Sequence, residues 1–260
     1  MTNIKIFSLV AAALLLFLVA PSFMPYNIGQ PGQRLAAPSL SHWLGTDRLG
    51  RDVAYRSIAG IVFSLGRAIT VLILAVAVGV TAAVLSTIYY RQGLDRSLVI
   101  LAETIRSFPF IILMLLFLAI KFPLSPIFVA YYWVPVWRLM RGALASQRHK
   151  PYVLAASFFG WPKVRVIFSE LLPNLWIRLF TNLPAILADI LASLSALEFL
   201  GIGVEIRTPS LGGQLLDSVQ LGFRAPWCWL PSLVGLVFLV WGLTFISRQA
   251  QRKQAWTPLG

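Results

Sequence analysis

The sequence predicts an all-α, polytopic membrane protein with about six membrane-crossing helices and a cytosolic loop that carries two short helices. Three observations predict it. Of 260 residues, 58% are hydrophobic and 12% are charged, and the mean hydropathy is +0.79, a composition that no single soluble domain of this length carries. Apolar runs long enough to cross a bilayer recur along the chain, separated by short polar stretches. The basic residues behind the net charge of +13 lie between those runs and not on one folded polar face, so the positive-inside rule accounts for them and nucleic-acid binding does not. The lone cysteine, Cys228, excludes an internal disulfide, and His42 and His149 are too far apart to form a recognisable metal-ligand spacing.

Taken in order, residues 1–24 read as a first transmembrane helix and not as a signal peptide. The apolar part of residues 4–24 exceeds a typical signal core, and Pro21-Ser22-Phe23 is a poor cleavage site. Residues 25–68 read as an extracytoplasmic loop followed by an interfacial helix. The first part is rich in Pro, Gly and Gln. In the stretch from His42 to Asp52, Gly45 and Gly50 alternate with side chains that can cap and pair, including Thr46, Asp47, Arg51 and Asp52. That pattern suggests a rigid turn leading into a helix, with Asp47 and Asp52 in local capping and salt bridging. Arg51, Arg56 and Arg67 alternate with Val53, Ile58, Ile61, Val62 and Leu65, which suits a helix lying flat at the membrane interface.

Residues 69–260 read as a core of five further transmembrane helices. Residues 69–90 cross, 91–96 form a basic inner turn, and 97–120 cross back carrying Glu103, Arg106 and the helix-disturbing Pro109. Glu103 and Arg106, at i,i+3, read either as a self-paired ion pair or as residues beside a cytosolic gate. Residues 127–140 form a short fourth helix with Pro135 as a possible kink. A strongly basic segment follows, with Arg138, Arg141, Arg148, Lys150, Lys163, Arg165 and Arg178, which places the loop 141–178 in the cytosol. Residues 179–204 cross again with Asp189 and Glu198 in an apolar setting. Asp189 is the best single candidate for lining a path, and a packing role for it stands beside that reading. Residues 205–229 are an outer polar segment ending in Trp227 and Trp229, and 230–246 are the sixth crossing before a basic tail of Arg248, Arg252 and Lys253. Both termini then face the cytosol.

The chain's organising stretch lies within the cytosolic loop. Ala155 and Ala156 allow close backbone approach, Gly160 breaks a first short helix, and Pro162 suits the start of a second. In the second helix Val164, Ile167, Phe168 and Leu171 form the expected apolar side, Lys163, Arg165, Ser169 and Glu170 the polar one, and Pro173 the expected end. No Walker A, His-Glu-x-x-His, Gly-x-Ser-x-Gly or Cys-x-x-Cys sequence is present, so the chain carries no readable site for nucleotide hydrolysis or covalent catalysis. A membrane bundle with a cytosolic hook and no motor suits a motor on a separate subunit.

Residues 152–174 resemble the cytoplasmic coupling loop of prokaryotic ABC importer permeases, with Ala155, Ala156, Gly160, Leu172 and Pro173 on the pattern and Leu154 where the family usually has glutamate. His42-Trp-Leu-Gly-Thr-Asp-Arg-Leu-Gly-Arg-Asp52 resembles the signature of the second permease subunit of dipeptide, oligopeptide and nickel importers. Arg106-Ser-Phe-Pro109, Glu198-Phe-Leu-Gly-Ile-Gly-Val204 and Thr208-Pro-Ser-Leu-Gly212 match that family as well, while the tail lacks its common Gly-Asp-x-Leu-Arg-Asp ending.

The resemblance implies a type I ABC importer permease fold in a bacterial plasma membrane, surrounded by lipid. It implies pairing with a homologous second permease, two ATP-binding subunits that carry ATP and magnesium, and an extracytoplasmic substrate-binding protein. The chain itself would bind no cofactor. It would couple to the ATPases through Ala155, Ala156, Gly160, Lys163, Arg165, Glu170 and Pro173, and line the path with Asp189, Glu103 and Pro109. The cargo would be short peptides, or nickel or a metal chelate. A non-transporting membrane scaffold or degenerate permease is the alternative of another class.

Overall fold

A computed structural model of the protein describes residues 31–120, 122–147, 150–203 and 209–256. The expected first transmembrane helix lies outside the described residues, as do Arg148, His149, Val204, Arg207 and Thr208. The described chain is helical: α1 Val53–Ile88, α2 Gly93–Ser107, α3 Phe110–Ala119, α4 Leu124–Gln147, α5 Pro151–Phe158, α6 Lys163–Phe199, α7 Leu211–Val219 and α8 Leu230–Trp256. Short 3-10 turns stand at Pro31–Gln33, Gly222–Arg224 and Pro226–Cys228.

Among the described residues, α1, α6 and α8 are long and apolar enough to cross a membrane, and α2 with α3 makes a further span if the bent pair is one crossing. The fourth expected crossing, α4, runs for 24 residues but is less uniformly apolar. Its buried set includes Phe128, Tyr132, Trp137, Met140 and Leu144, and a helix enclosed by protein does not need an apolar surface all round.

The helix boundaries correct the sequence reading in four places. The flat segment and the crossing expected on either side of residue 68 are one uninterrupted helix, α1, because nothing between Arg67 and Thr70 interrupts its backbone bonding. The third crossing is broken: α2 and α3 meet at 91°, with extended Phe108 and then Pro109 as the N-cap of α3. Proline disfavours helical geometry in the residue before it, and this places the break. Pro173 does not end the second helix of the loop. The turn at Ile167–Leu171 widens to a π-helix just before it, and the wider turn absorbs the missing amide and the ring. The segment after residue 205, expected to be irregular, contains a helix, α7, capped by Ser210, whose Oγ accepts from the amide of Gly213 at 3.1 Å.

The described chain divides into two compact units. One takes the described parts of Met1–Ile69 and Leu191–Gly242, the other those of Thr70–Ile190 and Leu243–Gly260. In the first unit α7 seats on α1 and α6 through small residues. A Cβ on Gly60 would stand 2.5 Å from Gln214 Nε2, and one on Gly212 would meet the Ser195 carbonyl and stand 2.7 Å from Glu198 Cβ. Ser64 Oγ accepts from the Leu211 amide at 3.0 Å, while Gln214 donates to the Arg56 carbonyl and accepts from Ser232 at 2.7 Å.

The second unit holds the larger apolar cluster. Ala82 and Ala83 of α1, Ala102 of α2, Trp137, Met140 and Leu144 of α4, and Leu175 and Leu179 of α6 all belong to it. Gly79 allows α1 and α4 to meet closely, since a Cβ there would stand 2.7 Å from Val136 Cβ. Such small-residue approach is how helices gain packing where lipid offers no hydrophobic contrast.

Candidate functional site

The two-helix loop is fixed at its turn by backbone chemistry. Gly160 has φ +75°, the left-handed region that side chains disfavour, and no atom lies within 4 Å of where its Cβ would be. The Trp161 amide donates to the Ala156 carbonyl at 3.2 Å, the long bond of a Schellman C-cap, and the Phe159 amide donates to Ala155 at 3.0 Å. Pro162 then caps Lys163, and the Arg165 guanidinium lies 4.2 Å from the centroid of the Trp161 ring.

The loop has an inner and an outer face. Val153, Ala156, Val166, Ile167, Leu171 and Leu172 are buried in the same cluster as α1, α2 and α4, and Tyr152 donates to Gln147 Oε1 at 3.0 Å. Phe158 and Phe159 are 89% and 83% exposed, and Leu154, Val164 and Phe168 are exposed as well. Lys163, Arg165, Ala155 and Pro173 share that exposure, and Glu170 is half-buried. The apolar side read from the sequence is therefore corrected: Ile167 and Leu171 are buried, but Val164 and Phe168 are not, and Val166 takes the inward place.

In the same unit, Glu103 Oε2 accepts from Arg138 Nη2 at 2.8 Å. The self-paired reading with Arg106 is corrected, for the Arg106 guanidinium lies over the Tyr131 ring, 4.8 Å from its centroid. Asp189 is exposed on α6, and its backbone carbonyl accepts from Tyr132 Oη at 3.1 Å. Asp95, which sequence reading passed over, is buried. Its carboxylate accepts from Ser86, from Arg141 at 3.1 Å and from the Arg91 amide at 3.0 Å. Only its place in the first turn of a helix hinted at such a role.

The Gly45 to Asp52 stretch of the first unit is a closed knot. Gly45 has φ +70°, and a Cβ there would stand 2.6 Å from the Ala36 carbonyl, so both conformation and space require glycine. Gly50 has φ +75°. Thr46 is fully buried, donates to the Gln33 carbonyl and accepts from the Ala36 amide at 2.8 Å. Asp47 accepts from the amides of Leu49 and Arg51 at 2.8 and 2.9 Å, from Arg51 Nε at 2.7 Å and from Arg56 Nη1 at 2.5 Å. Burial pushes its carboxyl upward, but the Arg51 amide and the Arg56 and Arg51 charges outweigh that and hold it below the usual carboxylate range. Asp52 caps α1 by accepting from the Tyr55 amide at 3.0 Å, and its other oxygen pairs with His42 at 2.9 Å. Glu198, 3% exposed, pairs with Arg67.

Among the described residues, three helices long and apolar enough to cross a membrane and a two-faced loop define the class as a membrane-embedded helical protein. Residues 75–254 match the family described as binding-protein-dependent transport system inner membrane component, and the chain belongs to it: it is a membrane-embedded permease subunit of an ABC importer. It is similar to the dipeptide transport system permease protein DppC of Alkalihalophilus pseudofirmus, with 30% identity over 85% of this chain and 74% of that protein. It is 32% identical to the peptidoglycan transport system permease protein YejE of Agrobacterium fabrum over 79% of this chain, and spans 55% of that protein's length. It is 26% identical to the oligopeptide transport system permease protein OppC of Lactococcus lactis subsp. cremoris over 91% of this chain and 82% of that one.

The fold is that of a chain in the inward-facing MetNI methionine ABC transporter. The TM-score is 0.61 at 19% identity, with coverage of 76% of this chain and 96% of that one. In this family ATP hydrolysis belongs to separate ATPase subunits, and membership implies ATPase, substrate-binding and second-permease partners.

Proposed function

We propose that the chain forms half of the translocation path for short peptides, paired with a homologous second permease, two ATP-binding subunits that carry ATP and magnesium, and an extracytoplasmic binding protein. Peptide cargo is favoured by the names of the relatives, which include dipeptide, oligopeptide and peptidoglycan permeases. The basic-residue bias favours both termini in the cytoplasm of a bacterial cell.

The observation that carries the coupling role is the two-faced loop. Its inner side chains share one buried cluster with α1, α2 and α4, while Phe158 and Phe159 stand out from it beside an exposed, basic segment with Lys163 and Arg165. A partner pressing on the outer face displaces the buried face and the helices packed on it, because a close-packed interior transmits displacement. Ala156 lets the first short helix sit close, Gly160 sets the turn, and the wide turn before Pro173 joins the loop to α6 without a break. With Leu154 exposed where the family has glutamate, the docking contact here is apolar at that point. Asp189, exposed on a spanning helix, faces water or the second permease, since lipid would penalise its carboxylate. Glu103 and Pro109 sit at the paired and bent parts of α2 and α3, where a gate would hinge.

The test is reconstitution of the full complex in proteoliposomes with its binding protein, after mass spectrometry has identified the small molecules that co-purify with that protein. ATP-dependent uptake of a recovered peptide supports the assignment. Recovery and uptake of a metal chelate in place of peptides overturns the cargo, and failure to take up any recovered molecule overturns the transport role.

A further inference from the structure

The α1–α2 turn carries a second charged feature that the transport role does not use. A cavity of about 550 Å³ is lined by Arg91, Asp95, Arg96, Val99, Ile100 and Arg141. Its one carboxylate, Asp95, is already engaged by Ser86, Arg141 and the Arg91 amide. Among the described residues no salt bridge engages Arg91 or Arg96, and both are exposed; Arg91 rests 5.5 Å from the Tyr90 ring centroid. The cavity therefore presents an uncompensated charge of two guanidiniums.

Arg91 holds φ +60°, a conformation that glycine or asparagine would adopt more readily. One helical turn beyond Arg96 on the same face, Ile100 is 66% exposed. A basic rim with an apolar surface one turn below it is the arrangement of a lipid phosphate and its acyl chain.

We propose that this cavity binds the phosphate of an anionic phospholipid headgroup through Arg91 and Arg96, with Arg141 as a third, Asp95-held guanidinium and Val99 and Ile100 against the first acyl carbons. The pairing of Arg141 with Asp95 fixes the back of the cavity, so the two outer arginines are the ones to change.

Native mass spectrometry of the full chain in detergent, titrated with phosphatidylglycerol or phosphatidylethanolamine, tests it against the variant Arg91→Gly/Arg96→Gln. Glycine accepts the φ of residue 91, and Arg96 is exposed, so the variant keeps its fold, checked by an unchanged thermal midpoint. Phosphatidylglycerol binding is expected to weaken about thirtyfold in the variant, about 1 kcal/mol for each arginine, while phosphatidylethanolamine binding stays the same. Unchanged phosphatidylglycerol binding overturns the site. Displacement of the lipid by millimolar inorganic phosphate overturns the lipid as its occupant. Loss of ATPase-subunit association with no loss of lipid overturns it in favour of an acidic protein surface.

Discussion

Glu103 on α2 accepts a hydrogen bond from Arg138 on α4 at 2.8 Å, a tie between two helices where the i,i+3 spacing to Arg106 pointed to one helix alone. The side chains are 59% and 44% exposed, so the pair contributes no more than about 1 kcal/mol to stability. Glu103→Gln is therefore expected to leave the thermal midpoint nearly unchanged and to lower the uptake rate. The exchange Glu103→Arg with Arg138→Glu is expected to recover it. Strictly additive single and double effects on uptake would show the tie to be idle.

Phe158 and Phe159 protrude from α5 and its turn with no neighbour to cover them, so Phe158→Ser and Phe159→Ser should leave the isolated chain as stable as before. Each should weaken binding of the ATP-binding subunit by up to about thirtyfold, the consequence of losing about 2 kcal/mol of buried aromatic surface. Titration of the purified ATPase subunit onto the chain in detergent measures it, and unaltered affinity removes both residues from the interface.

Asp47 holds Arg51 and Arg56 in a mostly buried knot, and Asp47→Asn leaves them only the exposed Asp217, which lies 3.0 Å from Arg56 Nη2 and 3.9 Å from Arg51 Nη2. Removing one partner of a buried pair costs about 3–5 kcal/mol, and the Asp217 contact that remains keeps the loss at or below the lower end, read as a drop in the thermal midpoint. Because the folded carboxyl titrates below its ordinary value, the unfolded chain takes up the proton first. Its contribution is thus present above about pH 4 and is lost as the pH falls below that. Thermal scans from pH 7 down to pH 3 should show a steeper fall at the acid end in the wild type than in Asp47→Asn.

Cys228 is buried, its thiol lies 3.4 Å from the Thr46 carbonyl, and burial first and the Asp47 charge second push its pKa up to about 11. At pH 7 it should resist a maleimide for hours in the native protein and react within minutes once the chain is unfolded in detergent. Rapid native labelling would show that the turn Pro226–Cys228 opens.

The membrane class, the existence of the long helices and the knot around Asp47 were legible in the sequence because each rests on local or solvent-imposed rules. A bilayer demands long apolar runs, and the positive φ of Gly45 and Gly50 and the capping of Tyr55 by Asp52 are local features. What was not legible depends on distant partners. Arg138 lies 35 residues from Glu103, and nothing local announces the pair. Val166 and not Val164 is buried because the start of α6 turns Val166 and Ile167 toward side chains of α1, α2 and α4 that are distant in sequence, and no local pattern announces that contact. The glycines of α7 looked like loop composition, yet Gly212 is there because α6 passes too close for a side chain.

Transmission through the Gly160 turn is measured most directly as peptide taken up per ATP hydrolysed, in proteoliposomes holding the complete importer. At φ +75° with open space around it, the position penalises any ordinary side chain by conformation and not by size. A penalty of about 1–2 kcal/mol at the turn predicts a ratio about tenfold lower in Gly160→Ala, with hydrolysis retained. Gly160→Trp should fare no worse than Gly160→Ala, and Gly160→Asn, which tolerates the left-handed region, should keep more of the ratio. A wild-type ratio in Gly160→Ala would contradict the coupling role of the loop.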